Sequence, residues 1–349
     1  MSTIEKRSAL AAMSGGVDST VAAMLAIKDG IDCTGAMMKI YPGAAGGEKD
    51  ALAVAEQLGI PLYIYDYSET FTREVVERFI SAYREGRTPN PCVDCNKHMK
   101  FGKLIEKSRE LGRDHIVTGH YAQIEHQAPD GRYLLKKGAD ATKDQSYVLY
   151  SLTQKQLSRT LFPLGGLKKS EVRAIAAEVG LRNAQKEESQ DICFIPDGDY
   201  AKFIENYIGE PAQKGRFIDS DGNDLGENKG VIHYTIGQRR GLGLAMPYPL
   251  YVLDIQPDKN VVVIGKNDQL YSKTLYVRDI NLIPFDKLGA PMRAFVKIRY
   301  KHAEQPATVH QTGEDTLLVE FDEPQRAITK GQAAVVYDSG YVIGGGTIV

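Results

Sequence analysis

The chain has 349 residues, 42% hydrophobic and 25% charged, with a net charge of −2. This suits two or three globular domains with sizeable cores and excludes a disordered chain or a polycation. No apolar run approaches the ~20 residues that cross a bilayer, and MSTIEKRSAL lacks the apolar core of a signal peptide, so a cytoplasmic enzyme with no membrane contact is expected.

In chain order, strands are predicted at Ser8–Met13, Thr34–Ile40, Leu62–Tyr67 and His115–Gly119. Helices are predicted near Thr20–Asp29, Asp50–Leu58, Phe71–Glu85, Phe101–Leu111 and Lys169–Val179. This alternation predicts an α/β domain, a parallel sheet wrapped by helices, over residues 1–204. A small linking domain is expected at 205–270, where GRFIDSDGNDLGENKG reads as a hairpin or loop. From 271 to 349 the runs MRAFVKIRY, TLLVEF, AAVVYD and YVIGGGTIV predict a small antiparallel barrel or sandwich.

The first strand runs into SGGVDS and then into a helix. A strand–loop–helix of this kind aims backbone N–H groups and a helix N-terminus at one point, which suits an anion. It is neither the Walker form, which needs a Lys before Ser or Thr, nor G-x-G-x-x-G. TGHYA (Thr118–Ala122) also follows a strand, so both loops are expected at one crevice beyond the carboxyl ends of the strands.

Four cysteines, Cys33, Cys92, Cys95 and Cys193, are too few for a secreted disulfide scaffold and point to redox or metal chemistry. Cys92 and Cys95 form a C-x-x-C within GRTPNPCVDCNKHMKFGKL, where two prolines stiffen the approach. Residues 84–113 hold eight Lys or Arg against four acids, which reads as a solvated helix face or an RNA-contacting one. Lys97, His98 and a helix start after Cys95 are candidates for helping its thiol ionise.

SGGVDS resembles the PP-loop of enzymes that cut ATP between the α- and β-phosphates. With NPCVDCN, SQDICF, TGHYA, KDQSYVLYSL, YTIGQRRGLG and FDEPQRAITKGQ, the chain resembles the bacterial tRNA 2-thiouridylase family almost end to end. The resemblance implies a Rossmann-like, adenine nucleotide alpha hydrolase-like PP-loop domain, a linking domain and a C-terminal β-barrel that contacts tRNA. It implies a monomeric tRNA-uridine 2-sulfurtransferase that uses ATP and Mg²⁺ on a wobble uridine. A protein persulfide donor, a cysteine desulfurase or a sulfur relay, is its expected partner. By position, Ala12, Met13, Ser14, Gly15, Gly16, Val17, Asp18, Ser19, Met38 and Gly119 border the nucleotide, Asp18 helping to place Mg²⁺. Asn90, Pro91 and Cys92 flank the target base. His120, Lys143, Asp144, Gln145, Arg299, Tyr300 and Gln332 match tRNA-contacting positions. Cys193 carries the persulfide, and Cys95 is the nucleophile that ends in a disulfide with it; Cys33 is core.

Cys92 departs from the commonest family pattern, which has an aspartate there as candidate acid–base group. The resulting set Cys92, Cys95 and Cys193 admits a [4Fe–4S] cluster, a zinc site completed by a residue such as His98, or a spare thiol. Two other readings stand beside the preferred one: a different PP-loop thiolase or ligase, and a non-catalytic metal-binding RNA-binding protein.

Overall fold

The computed structural model describes residues 7–41, 47–127, 131–181 and 192–349. Strand β1 (Ser8–Ala12) leads through the loop into α1 (Val17–Lys28), followed by β2 (Asp32–Lys39), α2 (Gly47–Leu58) and β3 (Leu62–Asp66). Two long helical runs follow. In α3, Ser68–Phe71 and Glu77–Arg84 flank π-type turns at Thr72–Val76. In α4, Pro91–Asp94 and Leu104–Glu110 flank π-type turns at Cys95–Lys103. Then come β4 (His115–Val117), the hairpin β5 (Ala122–Gln127) and β6 (Arg132–Lys137), β7 (Thr160–Leu161), α5 (Lys169–Glu178) and α6 (Tyr200–Ile208).

The first sheet is parallel, in the order β3-β2-β1-β4-β7. Its central strand is apolar on both faces, with Ala9, Leu10 and Ala11 fully buried, as a strand covered by helices on both sides must be. The chain leaves β1 toward β2 on one side and returns as β4 on the other. The β1–β4 boundary is therefore the switch point at which a crevice opens beyond the strand ends. The loops after these two strands meet there. Helix α1 begins at Val17, earlier than the expected Thr20, because extended Gly16 (φ −90°, ψ 160°) already acts as its N-cap.

Strands β8 (Gly215–Ile218), β9 (Asp224–Asn228), β10 (Tyr251–Gln256) and β11 (Val261–Gly265) form a small sheet, in the order β10-β11-β8-β9, around buried Phe217, Val252, Val262 and Ile264. The last six strands are β12 (Tyr271–Leu282), β13 (Met292–Lys297), β14 (Gln305–Gly313), β15 (Thr316–Arg326), β16 (Ala333–Asp338) and β17 (Tyr341–Ile348). They run β12-β15-β14-β13-β16-β17 and close through β12–β17, which settles barrel against sandwich.

The β5–β6 hairpin has no counterpart among the predicted strands. It adds to the barrel edge through Tyr341↔Lys136 and Val342↔Leu135. One core cluster accordingly joins Leu10, Phe101 and Leu135 to Val335 and Tyr337 of the barrel. A shared apolar core of this kind makes the first sheet and the barrel one packed unit.

No helix among the described residues is long and apolar enough to cross a membrane.

Candidate active site

The loop after β1 turns sharply at Gly15 (φ +73°), where a Cβ would lie 2.7 Å from the Gly47 carbonyl and 2.8 Å from the Asp50 Cβ. Only glycine fits such a conformation at such a distance. The loop is laced by its own hydroxyls. Ser19 donates to the Gly16 carbonyl at 3.0 Å and accepts from the Ser14 N–H at 3.2 Å, and Thr20 Oγ1 donates to the Gly16 carbonyl at 2.9 Å. Ala12 ends β1, and the N–H of buried Met13 bonds the Ala36 carbonyl at 2.8 Å. Met38 lies on neighbouring β2.

Gly119, after β4, presses on the first turn of α1: a Cβ there would sit 2.7 Å from the Asp18 carbonyl carbon and 2.8 Å from the Ser19 nitrogen. Asp18 is held firmly. Both its oxygens accept from Lys169 Nζ at 2.7 Å, and Oδ1 accepts from the Tyr121 hydroxyl at 2.8 Å.

The thiols of Cys92, Cys95 and Cys193 lie within electrostatic reach of one another. Cys95 lies in the electrostatic field of both others, and Cys193 in that of Cys92. All four cysteines are unbonded. Cys92 and Cys193 keep solvent-accessible surface, and burial pushes both thiols up. Burial pushes Cys95 up to about 12, reinforced by Cys193, Cys92 and Asp94 and opposed by Lys100. The apolar neighbours of Cys193 anchor its segment: Phe194 packs edge-on against Phe71 and Phe79, with ring centroids 5.7 and 5.5 Å away. Cys33, in contrast, is a core residue of β2, pushed to about 11 chiefly by burial.

Lys100, missed at the sequence level, is the cation whose charge opposes the rise at all three thiols. The π-type turns explain its place. In an α-helix, residue i+5 swings about 140° from residue i. In π-type turns the i+5 bond stacks it over residue i, as in the Leu104 N–H bond to the Met99 carbonyl. Lys100 is residue i+5 from Cys95. The expected helpers, Lys97 and His98, act instead on Asp94. Asp94 is itself a carboxylate the C-x-x-C reading overlooked: burial raises its pKa, and it pairs with Arg78 at 3.4 Å.

Lys100 Nζ donates to His120 Nε2 at 3.4 Å, and on the other ring edge Nδ1 lies 2.7 Å from Thr118 Oγ1. Since lysine only donates, the Nδ1 proton of this ring faces Thr118. His120 is buried, wedged against Phe101 and Phe162 and held neutral by burial and by Lys100. It is thus a core link between the thiol region and the Gly119 loop, not a surface group. The other positions matched to tRNA contact also have internal partners. Asp144 Oδ1 accepts from the Gly138 N–H at 2.9 Å, and Gln145 Oε1 from the Tyr121 N–H at 3.1 Å. Lys143 precedes them on the same loop, its N–H bonded to the Asp140 carbonyl at 3.0 Å. The Tyr300 hydroxyl donates to the Asp144 carbonyl at 3.2 Å, and its ring lies in the field of Cys92. Arg299 is partly buried and bonds the carbonyls of Ala327 at 2.8 Å and Ile236 at 3.3 Å, tying the barrel to the linking region. Gln332 donates to the Thr88 carbonyl at 2.8 Å and so braces the approach to Asn90. Asn90 caps α4, its side chain accepting from the Cys92 N–H at 3.1 Å, with Pro91 at the first helical position.

Among the described residues no group of three or more His, Cys, Asp or Glu side chains is placed to hold a metal ion. The three thiols are therefore not grouped to hold a single zinc ion.

Three family models match the chain. They are a tRNA methyl transferase HUP domain over residues 7–197, a tRNA methyl transferase PRC-barrel domain over 201–266 and an aminomethyltransferase beta-barrel domain over 272–348. The chain is 46% identical over 347 residues to the tRNA-specific 2-thiouridylase MnmA of Clostridioides difficile, covering 96% of each chain. It is 49% identical over 349 residues to the tRNA-specific 2-thiouridylase MnmA 2 of a Thermoanaerobacter species, again covering 96% of each. A relative with the same printed name from Clostridium tetani is 46% identical over 357 residues, covering 99% of each.

Proposed function

The chain belongs to the tRNA-specific 2-thiouridylase family, and from that premise we propose that it replaces O2 of the wobble uridine of tRNA with sulfur at the expense of ATP. The observation that carries this reading is that Cys95 and Cys193, about a hundred residues apart in sequence, come within electrostatic reach of each other and of Lys100, whose bond to His120 leads to the Gly119 loop and the first turn of α1.

The chemistry needs two halves. A uracil carbonyl oxygen is a poor leaving group. Attack of O2 on the α-phosphorus of ATP breaks the α–β bond, expels pyrophosphate toward the Ser14–Ser19 loop and leaves O2 carrying AMP. Backbone N–H groups and the start of α1 suit the departing anion. Mg²⁺ arrives with ATP, and Asp18 is the carboxylate this loop offers it. In the second half, Cys193 holds a persulfide received from a donor protein. Its outer sulfur bonds to C2, AMP leaves, and Cys95 attacks the Cys193 Sγ. This releases the transferred sulfur and forms a Cys95–Cys193 disulfide, which an external dithiol must reduce by two electrons. The anticodon base must leave its stack to enter, which single-stranded RNA permits. Asn90, Pro91 and Cys92 flank it, and the Lys143–Gln145 loop with Tyr300 forms the adjoining wall.

The test incubates the protein with ATP, Mg²⁺, a persulfide-charged cysteine desulfurase and unmodified tRNA, then reads nucleosides by mass spectrometry. 2-Thiouridine should appear, and Cys95→Ser and Cys193→Ser should abolish it. An unchanged wobble uracil under every sulfur supply refutes the reading.

A further inference from the structure

The Ser14–Ser19 loop carries one carboxylate, Asp18, and no lysine or arginine. A triphosphate entering it meets the partial positive charge of α1 and the full negative charge of Asp18. A full positive charge is already bonded to that carboxylate, supplied from α5. Lys169 is the first residue of α5, and its N–H is fixed by Asp140 Oδ2 at 2.9 Å. Its side chain runs past Tyr121, with Nζ 5.8 Å from the ring centroid, and ends 2.7 Å from both Asp18 oxygens. Lys169 is 9% exposed. Burying an ammonium is costly unless it is paired, and a buried pair used only to clamp two helices is often no better than an apolar contact. Its position at the one carboxylate of a phosphate-binding loop gives the pair a further use.

We propose that Lys169 is the phosphate-binding cation of the nucleotide site, exchanging Asp18 for the triphosphate when ATP enters. The inference rests on the reading that this loop binds ATP. Mg²⁺ bound to ATP supplies a new cation to Asp18 as the phosphates supply new anions to Lys169. Both charges stay matched throughout, and no proton moves. The ammonium then lies where pyrophosphate departs, the position that the lysine of a Walker loop would occupy and that this loop's own sequence leaves unfilled.

The test is calorimetric binding of ATP in EDTA, which removes the metal and leaves the charges of the protein alone. Asp18→Asn should bind metal-free ATP more tightly than the unmodified chain, because the competing carboxylate is gone. Adding Lys169→Met in that background should weaken binding about tenfold or more, the loss expected for a charge-assisted hydrogen bond. Lys169→Arg should retain most of the affinity, since a guanidinium also holds phosphate. The melting temperature of the double variant, compared with that of Asp18→Asn, separates a lost ligand contact from a lost fold. No tightening in Asp18→Asn, or equal affinity with and without Lys169→Met, overturns the proposal. Tight ATP binding by a chain that never thiolates tRNA would sink the functional reading and leave this result standing. An unmodified chain that binds no ATP even with Mg²⁺ would sink both.

Discussion

The raised thiol of Cys95 makes a quantitative prediction about its alkylation by iodoacetamide. At pH 8 a thiol that ionises at about 12 is roughly one part in ten thousand thiolate, against about a quarter for a free cysteine near 8.5. That is a loss of about 2,500-fold in reactive species. The more basic thiolate is the better nucleophile, and a Brønsted slope of about 0.45 over about 3.5 units returns some 40-fold. Cys95 should therefore alkylate roughly 60-fold more slowly than free cysteine at pH 8, before any steric protection. Its rate should climb about tenfold per pH unit to at least pH 11. The assay is a brief pulse of reagent at each pH, followed by digestion and mass spectrometry of the Cys95 and Cys193 peptides. A Cys95 rate that levels off near pH 8.5 would refute the claim that burial dominates over Lys100 at this thiol.

Replacing Lys100 with Met removes the cation that favours all three thiolates, so Cys92 and Cys193 should alkylate more slowly at pH 8, with Lys100→Arg restoring the rate. Gly119→Ala drives a methyl group into the backbone of Asp18 and Ser19; the overpacking should cost about 1–3 kcal/mol, read as a lower urea midpoint and weaker ATP binding. Phe194→Ala should cost about 3–5 kcal/mol in the same denaturation assay, as a buried aromatic removed from its cluster does. His120 is held neutral in the fold. Its contribution to stability is present above the ordinary imidazole value near 6.5 and should be lost as pH falls below it; His120→Asn should flatten that acid limb in thermal melts.

The parallel sheet was legible because its signals are local. Ser8–Met13 is apolar throughout, SGGVDS breaks it, and helical spacing follows at once; the strand order then brings the Gly119 loop to the same crevice. The β5–β6 hairpin was not legible. Arg132–Lys137 is short and ends in two lysines; it pairs with neighbouring β5, but its place on the barrel edge comes from β17, some two hundred residues downstream. The thiol region shows the same division. Cys95 and Cys193 could be picked out by motif, but Lys100 could not, because an α-helical reading points it about 140° away from Cys95. Only the π-type turns bring it round, and neither composition nor spacing encodes them. Lys169 belongs to this second kind. In sequence it is one basic residue at the start of an amphipathic helix, and its bond to Asp18 spans 151 positions. Residue identity marks groups that carry chemistry themselves, whereas the charges that tune them are placed by packing between distant segments. A search for tuning residues in such a site must therefore begin from the fold.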